Sequence, residues 1–118
     1  MTPSTRTMPS GDSVGDVLAA AEATIARAGP SLRIERKWAT DWRAGRDLIV
    51  ACRAFSHHVG MEFWRGSALP DPDHLLQGTG KNLRHVKVRS IAEARAPALA
   101  RLIGAAIRLD ASERKRTR

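Results

Sequence analysis

Apolar residues recur at helical spacing near both ends of the chain, and between these ends many of them alternate with polar residues. Near the N-terminus the helical pattern continues until Gly29-Pro30 interrupts it. Ser13, with Asp16 three residues later, has the sequence of a helix N-cap. These features predict a first helix over about residues 13–28 whose apolar stripe faces the core. The stripe consists of Val14, Val17, Leu18, Ala21 and Ile25.

Four segments in the middle of the chain are predicted to be β-strands. One of them, residues 48–52, is an almost continuous apolar run, which is typical of a central strand covered on both faces. In the other three, apolar residues alternate with polar ones, which is typical of strands with one buried and one solvated face. The alternating residues are Leu32, Ile34 and Trp38 in the first strand, Val59, Met61 and Phe63 in the third, and Val86 and Val88 in the last.

The connections between these strands carry turn and capping residues. Residues 40–45 are predicted to be a turn, and residues 56–58 a hairpin connection. Between the third and fourth strands a short helix is predicted, with Asp71 as its cap, Pro72 in its first position and Gly78 at its end.

After the last strand the helical pattern returns. Ser90 and Glu93 have the spacing of a capping box, but Pro97 lies too deep for one unbroken helix. We therefore expect one short turn and then a main helix from about Pro97 to Leu109. Its buried stripe is Leu99, Leu102, Ile103 and Ala106.

The order of these elements predicts the fold class. One helix, three strands, a short helix, a strand and a final helix indicate an α+β fold, a single small domain in which helices pack on one face of an antiparallel β-sheet. The length of 118 residues is sufficient for one core. We expect a flexible N-terminal tail over residues 1–12, the domain over residues 13–110, and a basic C-terminal tail over residues 111–118.

The composition indicates the cellular compartment and excludes some kinds of site. The single Cys52 excludes an internal disulfide and a thiolate-rich metal site, and is interpreted as a buried thiol. No apolar run is long enough to span a bilayer, and no signal peptide is recognisable. We expect a cytoplasmic protein with no membrane partner.

The net charge of +8 favours an anionic partner. Four of the positive charges lie in residues 114–118, which predicts weak, salt-sensitive and non-specific binding of nucleic acid through the basic tail. His85, Lys87 and Arg89 alternate on one strand face, but Trp64 is the single aromatic residue expected beside them. Sequence-specific recognition of nucleic acid is therefore not expected.

The connection over residues 64–85 is predicted to carry a binding site for an anionic small molecule. Gly78, Gly80 and Lys81 resemble part of a phosphate-binding loop, but the first glycine and the hydroxyl residue of that motif are missing. Two glycines before basic residues still suit a backbone nest that holds an anion. The predicted ligand-binding residues are Trp64 as a stacking wall, Lys81 and Arg84 as anion contacts, and His85 as a pH-sensitive donor. Trp38 and Trp42 could flank a groove together with Trp64, which would suit a flat or anionic small ligand. The alternative is that the glycines close a helix and form a turn, and that the three Trp residues fill the core.

No catalytic or metal-binding constellation is recognisable, so neither a cofactor nor a metal is expected. The histidines lack the spacing of a zinc site. Asp71 and Asp73 are explained by the start of the predicted helix rather than by acid–base chemistry. No nucleophile, acid and base can be placed together.

The sequence resembles a bacterial family, the YdhG-like proteins (domain of unknown function 1801), over roughly residues 13–110. The matching features are Phe63-Trp64, residues 66–72, Leu75-Leu76, Gly78, Gly80-Lys81, Arg84-His85-Val86 and the terminal amphipathic helix. The resemblance implies a small α+β fold, and one branch of the family is linked to frataxin-like iron chaperones. The leading hypothesis is a non-enzymatic binding domain with a small-ligand or anion site at the 64–85 connection; the alternative is a frataxin-like intracellular iron chaperone.

Overall fold

In a computed structural model, which describes residues 8–113, an antiparallel sheet carries its helices on one face, as the pattern of apolar residues predicts. The sheet has five strands rather than the four predicted. The domain is therefore α+β, and the predicted fold class is confirmed. The elements are α1 (Val14–Ala28), β1 (Arg33–Lys37), β2 (Thr40–Ala44), β3 (Leu48–Ala54), β4 (Val59–Phe63), a short 3-10 helix (Gly66–Ala68), β5 (Arg84–Val88), α2 (Ile91–Ala94) and α3 (Pro97–Glu113).

The strands form a meander, because their order in the sheet, β1-β2-β3-β4-β5, is their order in the sequence. The apolar run at residues 48–52 lies in β3, at the centre of the sheet, as predicted. The loop between β3 and β4 is closed by a hydrogen bond from the Phe55 amide to the His58 carbonyl at 2.8 Å, which confirms the predicted hairpin connection.

The predicted turn at residues 40–45 is wrong, because most of this segment is strand β2. It pairs with β1 from Arg33 opposite Ala44 to Lys37 opposite Thr40. The real turn consists of Trp38 and Ala39, whose φ angles are 52° and 59°. Positive φ at both central residues is the geometry of hairpin turns that usually carry Asn-Gly. A Trp-Ala pair is not typical of such a turn, so the sequence does not predict the hairpin between β1 and β2.

The main core lies between the helices and one face of the sheet. The largest of its fully buried side chains are Phe63, Ile25, Met61 and Ile103, which come from β4, α1 and α3. The Ser13 hydroxyl accepts a hydrogen bond from the Asp16 amide at 3.0 Å, so the predicted N-cap of α1 is confirmed.

The predicted N-terminal tail is too long. Met8 is only 2% exposed and belongs to the main core. The Ser10 hydroxyl donates to the Arg89 carbonyl at 2.9 Å, and the Asp12 carboxylate accepts from the Ile91 amide at 2.9 Å. Residues 8–12 therefore pack against the start of α2, and the rest of the predicted tail, residues 1–7, lies outside the described residues.

The predicted helix between Asp71 and Gly78 is also wrong. The Asp71 carboxylate accepts hydrogen bonds from the amides of Leu75 at 2.8 Å and Leu76 at 2.9 Å, but these bonds close a turn that does not continue as a helix. Gln77 then pairs with His85 as an isolated antiparallel bridge, so the connection covers the outer edge of β5.

The final helix is tied to the middle of the sheet by Asp110, which is 6% exposed. Its carboxylate accepts hydrogen bonds from the amides of Arg46 at 2.7 Å and Asp47 at 2.9 Å, in the turn between β2 and β3. Helix α3 begins at Pro97 as predicted and continues to Glu113, so the predicted tail begins too early; residues 114–118 lie outside the described residues. Within residues 8–113, no helix is both long and apolar enough to cross a bilayer.

Candidate functional site

The face of the sheet that points away from the main core is called the open face below. Successive residues of a strand point to opposite faces, so the pairing register assigns each residue to one of them. One row on the open face runs from Trp42 of β2 through Ala51 and Glu62 to His85 of β5. The next row contains Arg53, Gly60 and Lys87. A second apolar cluster lies on this face, consisting of Trp42, Ala44, Leu48 and Ala51, with Trp64 packed against it.

The three Trp residues form a stack that rises from this cluster to the solvent. Trp64 contacts Trp42 edge-on, with ring centroids 5.7 Å apart, and lies nearly parallel to Trp38, with centroids 5.6 Å apart. Trp42 is 3% exposed, whereas Trp38 is 68% exposed. The buried Trp42 therefore supports Trp64, and Trp38 presents an indole ring to solvent.

Trp38 holds this position at a cost in backbone energy. An L-residue in the left-handed region costs about 1–2 kcal/mol, and the φ of Trp38 is 52°. Core packing does not offset this cost, because the ring is largely exposed.

A second aromatic pair lies on the same face, on the Gly60 row. The rings of Phe55 and His58 stack with centroids 4.8 Å apart and an angle of 17°. The Arg53 guanidinium lies 5.5 Å from the Phe55 ring centroid. A Cβ at Gly60 would lie 2.9 Å from the Phe55 ring, so the absence of a side chain there lets this ring lie on the sheet.

Positive charge predominates on the open face. Its two glutamates are both paired, Glu62 with Arg53 at 3.3 Å and Glu35 with Arg33 at 2.9 Å. The Lys37 ammonium lies 5.9 Å from the Trp38 ring centroid, beside the Trp stack. The other unneutralised cations are at the opposite end of the face, near His58.

Cationic side chains, among them Lys87 and Arg89, surround His58. Burial lowers the pKa of His58, and Lys87, Arg89, His85 and His57 lower it further by their positive charge. Because its pKa is lowered, the imidazole is neutral at neutral pH and stacks on Phe55 as an uncharged ring. This end of the open face therefore combines an aromatic surface with several cationic side chains.

A shallow depression of about 400 Å³ adjoins the Trp stack at the β1–β2 turn. Trp38 and Arg53 line it, together with Asp41 and Glu22. Asp41 is paired with Arg36 at 2.7 Å. Burial raises the pKa of Glu22, and although Arg43 opposes this shift, Asp41 adds to it. Leu18 of α1 and Cys52 of β3 also line it, so most of the depression lies on the helix side of the sheet.

The predicted four-residue site is divided between the two sides of β5. Trp64 and His85 lie on the open face. Arg84 pairs with Phe63, which is fully buried on the helix side, so its side chain leaves the strand on that side. The Arg84 guanidinium donates to the carbonyls of Gly80 and Leu83, and Lys81 is exposed in the same loop.

Sequence reasoning missed several residues of the open face. The sequence allows Trp38, Trp42 and Trp64 to flank one groove, but it predicts Trp42 in a turn and Trp38 on the inner face of a strand, so it does not predict how their rings contact one another. The alternation of Thr40, Trp42 and Ala44 is the signal that could have identified β2. Phe55 and Arg53 gave no signal, because the ring is placed by contact with a glycine on the neighbouring strand.

In the part of the chain that the structure describes, we find neither a cluster of metal ligands nor a reactive thiol. No three side chains of His, Cys, Asp or Glu come together there in a group that could hold a metal ion. Burial raises the pKa of the Cys52 thiol, and the charge of Glu22 raises it further, so the sulfur is protonated at neutral pH. The frataxin-like alternative therefore has no ligand cluster for iron among residues 8–113.

The chain matches no protein-family model, no curated protein and no solved structure at a significant level. Its membership of the YdhG-like family therefore stays a prediction that rests on the residues quoted above.

Proposed function

We propose that this protein is a non-enzymatic binding domain, and that it holds a planar aromatic ring with attached negative charge on the open face. The observation that carries this proposal is the stack of Trp38 on Trp64, 5.6 Å between ring centroids, with the outer ring exposed in a strained turn. The predicted binding function is kept, and its position moves from the 64–85 connection to the open face, where Trp64 and His85 remain part of the site.

The stack is suited to flat ligands because it is already formed. Trp42 is buried beneath Trp64, so little side-chain entropy is lost when a ring lies on the stack. Stacking of a base on an aromatic side chain contributes about 1–3 kcal/mol. The Lys37 ammonium, 5.9 Å from the Trp38 ring centroid, is placed to attract the negative charge of the same ligand.

Two observations support binding rather than catalysis. The glutamates of the open face, Glu35 and Glu62, are held in ion pairs with arginines, so neither carboxylate is free to act on a ligand. Cys52, the single thiol of the chain, is protonated by burial.

The proposal is tested by titrating the protein with AMP while Trp fluorescence and heat of binding are recorded. Adenosine and inorganic phosphate serve as the two halves of that ligand. We expect AMP to bind and to quench fluorescence, adenosine to bind more weakly, and phosphate alone to leave the fluorescence unchanged.

Variants then locate the site. Trp38→Ala should weaken AMP binding about 5- to 150-fold, the equivalent of 1–3 kcal/mol, with little loss of stability because the ring is exposed. Lys81→Ala, which removes a charge from the 64–85 connection, should change the affinity less than twofold. Unchanged binding by Trp38→Ala, or loss of binding by Lys81→Ala, would place the site on the connection and refute the proposal. Absence of binding by any flat anion at millimolar concentration would also refute it.

A further inference from the structure

The open face carries two separate stacking surfaces, one at Trp38 and Trp64 and one at Phe55 and His58. Trp42, which supports the first, is on β2, and Gly60, which lies under Phe55, is on β4. These two supporting residues, Trp42 and Gly60, are two strand spacings apart, or about 10 Å across the sheet. A single nucleotide has one base and occupies one surface, whereas a ligand with two linked bases occupies both.

We infer that the natural ligand is a single strand of nucleic acid that crosses the open face, with one base on the Trp stack and another on the Phe55–His58 pair. This inference rests on the proposed function, because it assigns the class of ligand to the same face. The geometry requires no preference for sequence, since every base has a flat face that can stack.

The free cations are placed to follow the backbone of such a strand. Lys37 lies beside the first stacking surface, and Lys87 and Arg89 lie near the second. Among residues 8–113, none of these three side chains forms an ion pair with a carboxylate. They therefore remain available for phosphates. Arg53 stands between the two surfaces, paired with Glu62 and 5.5 Å from the Phe55 ring centroid.

The same geometry disfavours a duplex. In a double helix the bases are stacked on each other and paired, so their faces are not available to Trp38 or Phe55. Single strands can turn their bases out and lay them on aromatic side chains. An acidic polypeptide would satisfy the cations but would leave both aromatic surfaces unused.

The test is fluorescence anisotropy with labelled oligothymidylates of increasing length, from one to twelve nucleotides. The full chain is used, so that the charges of residues 114–118 contribute equally to every variant. We expect the affinity to rise at least tenfold between one and four nucleotides, because the second stacking surface is then engaged. A twelve-base-pair duplex and polyglutamate are expected to bind at least tenfold more weakly than the single strand of twelve.

Matched variants separate the two surfaces. Phe55→Ala should weaken oligonucleotide binding about 5- to 150-fold and weaken mononucleotide binding less than Trp38→Ala does, whereas Trp38→Ala should weaken both. Lys87→Ala should reduce the salt dependence of oligonucleotide binding by about 0.7 in the slope of log affinity against log salt, as expected for one lost phosphate contact. Lys81→Ala removes the same charge from the connection and should leave the slope unchanged.

The outcomes distinguish this inference from the proposed function. If mononucleotides bind through Trp38 but longer oligonucleotides bind no more tightly, the inference of a nucleic-acid ligand is refuted and the proposed aromatic site stands. Equal binding of duplex or polyglutamate, or equal effects of Lys87→Ala and Lys81→Ala, would show attraction by charge alone and refute the inference. If neither mononucleotides nor oligonucleotides bind, both ideas fail.

Discussion

Replacing Asp110 with alanine is expected to destabilise the domain more than any substitution of an exposed carboxylate. Asp110 is buried at the C-terminal end of α3, and it accepts two backbone hydrogen bonds from the β2–β3 turn, at 2.7 Å and 2.9 Å. In the alanine variant the amides of Arg46 and Asp47 lose their acceptor, and α3 loses its tie to the turn.

The size of the effect follows from these two bonds. A hydrogen bond to a charged group contributes about 1.5–3 kcal/mol, so the pair contributes about 3–6 kcal/mol if the contributions add. Water can enter the space left by the carboxylate and hydrogen-bond to the freed amides, so part of this free energy is recovered. We therefore expect the free energy of unfolding to fall by about 3 kcal/mol. The free energy of unfolding of a small domain is about 5–15 kcal/mol, and each kcal/mol lost lowers its Tm by about 4–8 °C. The Tm of Asp110→Ala should therefore fall by roughly 12–24 °C.

Urea denaturation followed by circular dichroism measures this difference directly. Asp73→Ala is the matched control, because Asp73 is exposed and its ion pair with Arg101 spans 3.7 Å. That variant should lose less than about 1 kcal/mol. Asp110→Asn, which keeps one good acceptor, should fall between the two. A loss below about 1 kcal/mol for Asp110→Ala would mean that water satisfies the turn amides and that the tie contributes little.

Two further substitutions test the turn and the buried acid. Ala39→Gly should raise the free energy of unfolding by about 1 kcal/mol, because glycine adopts the φ of 59° without strain; an unchanged Tm would contradict strain in this turn. The raised pKa of Glu22 means that the folded state holds this proton more tightly than the unfolded chain, so ionised Glu22 costs stability above its ordinary pKa of 4.5. Glu22→Gln should therefore be more stable than the wild type at pH 7 and equal to it at pH 3 in thermal unfolding, and a gain that persists at pH 3 would have another cause.

The sequence predicts the parts of the fold whose signals are local and sustained. Helix α1 has both a periodic apolar stripe and the Ser13 cap, and β3 has an unbroken apolar run. By contrast, β2 has only Trp42 and Ala44 as buried residues, and the turn before it contains no turn-forming residue. Its strand conformation comes from pairing with both neighbours, which a reading of local pattern does not include.

Local capping signals are also ambiguous. Asp71 satisfies two amides whether a helix follows or a single turn, and His74, with a φ of 56°, ends the turn here. The composition of residues 1–12 predicts disorder on average, but one apolar residue, Met8, is enough to fix residues 8–12 on the core. For residues 8–12 the deciding contacts are made with distant parts of the chain, namely the core and the start of α2.

The candidate site was predictable only in part for the same reason. Trp64 and His85 could be placed on one face by the alternation of their own strands. The grouping of Trp38 with Trp64 depends on the β1–β2 hairpin, and the position of Phe55 depends on Gly60 of the next strand. Aromatic residues far apart in sequence meet here through strand register, which is a property of the whole sheet.

The meander also has a consequence for the order in which the domain forms during synthesis. Each strand pairs with the one made just before it, so each hairpin needs only a short loop to close. The helix side is different, because α1 is made first and α3 last, and Asp110 contacts an amide 64 positions earlier in the chain. We therefore expect a nascent chain that ends after β5 to leave part of the apolar face of its sheet uncovered. Covering of that face by α3, rather than the pairing of strands, is then expected to be the step that limits aggregation.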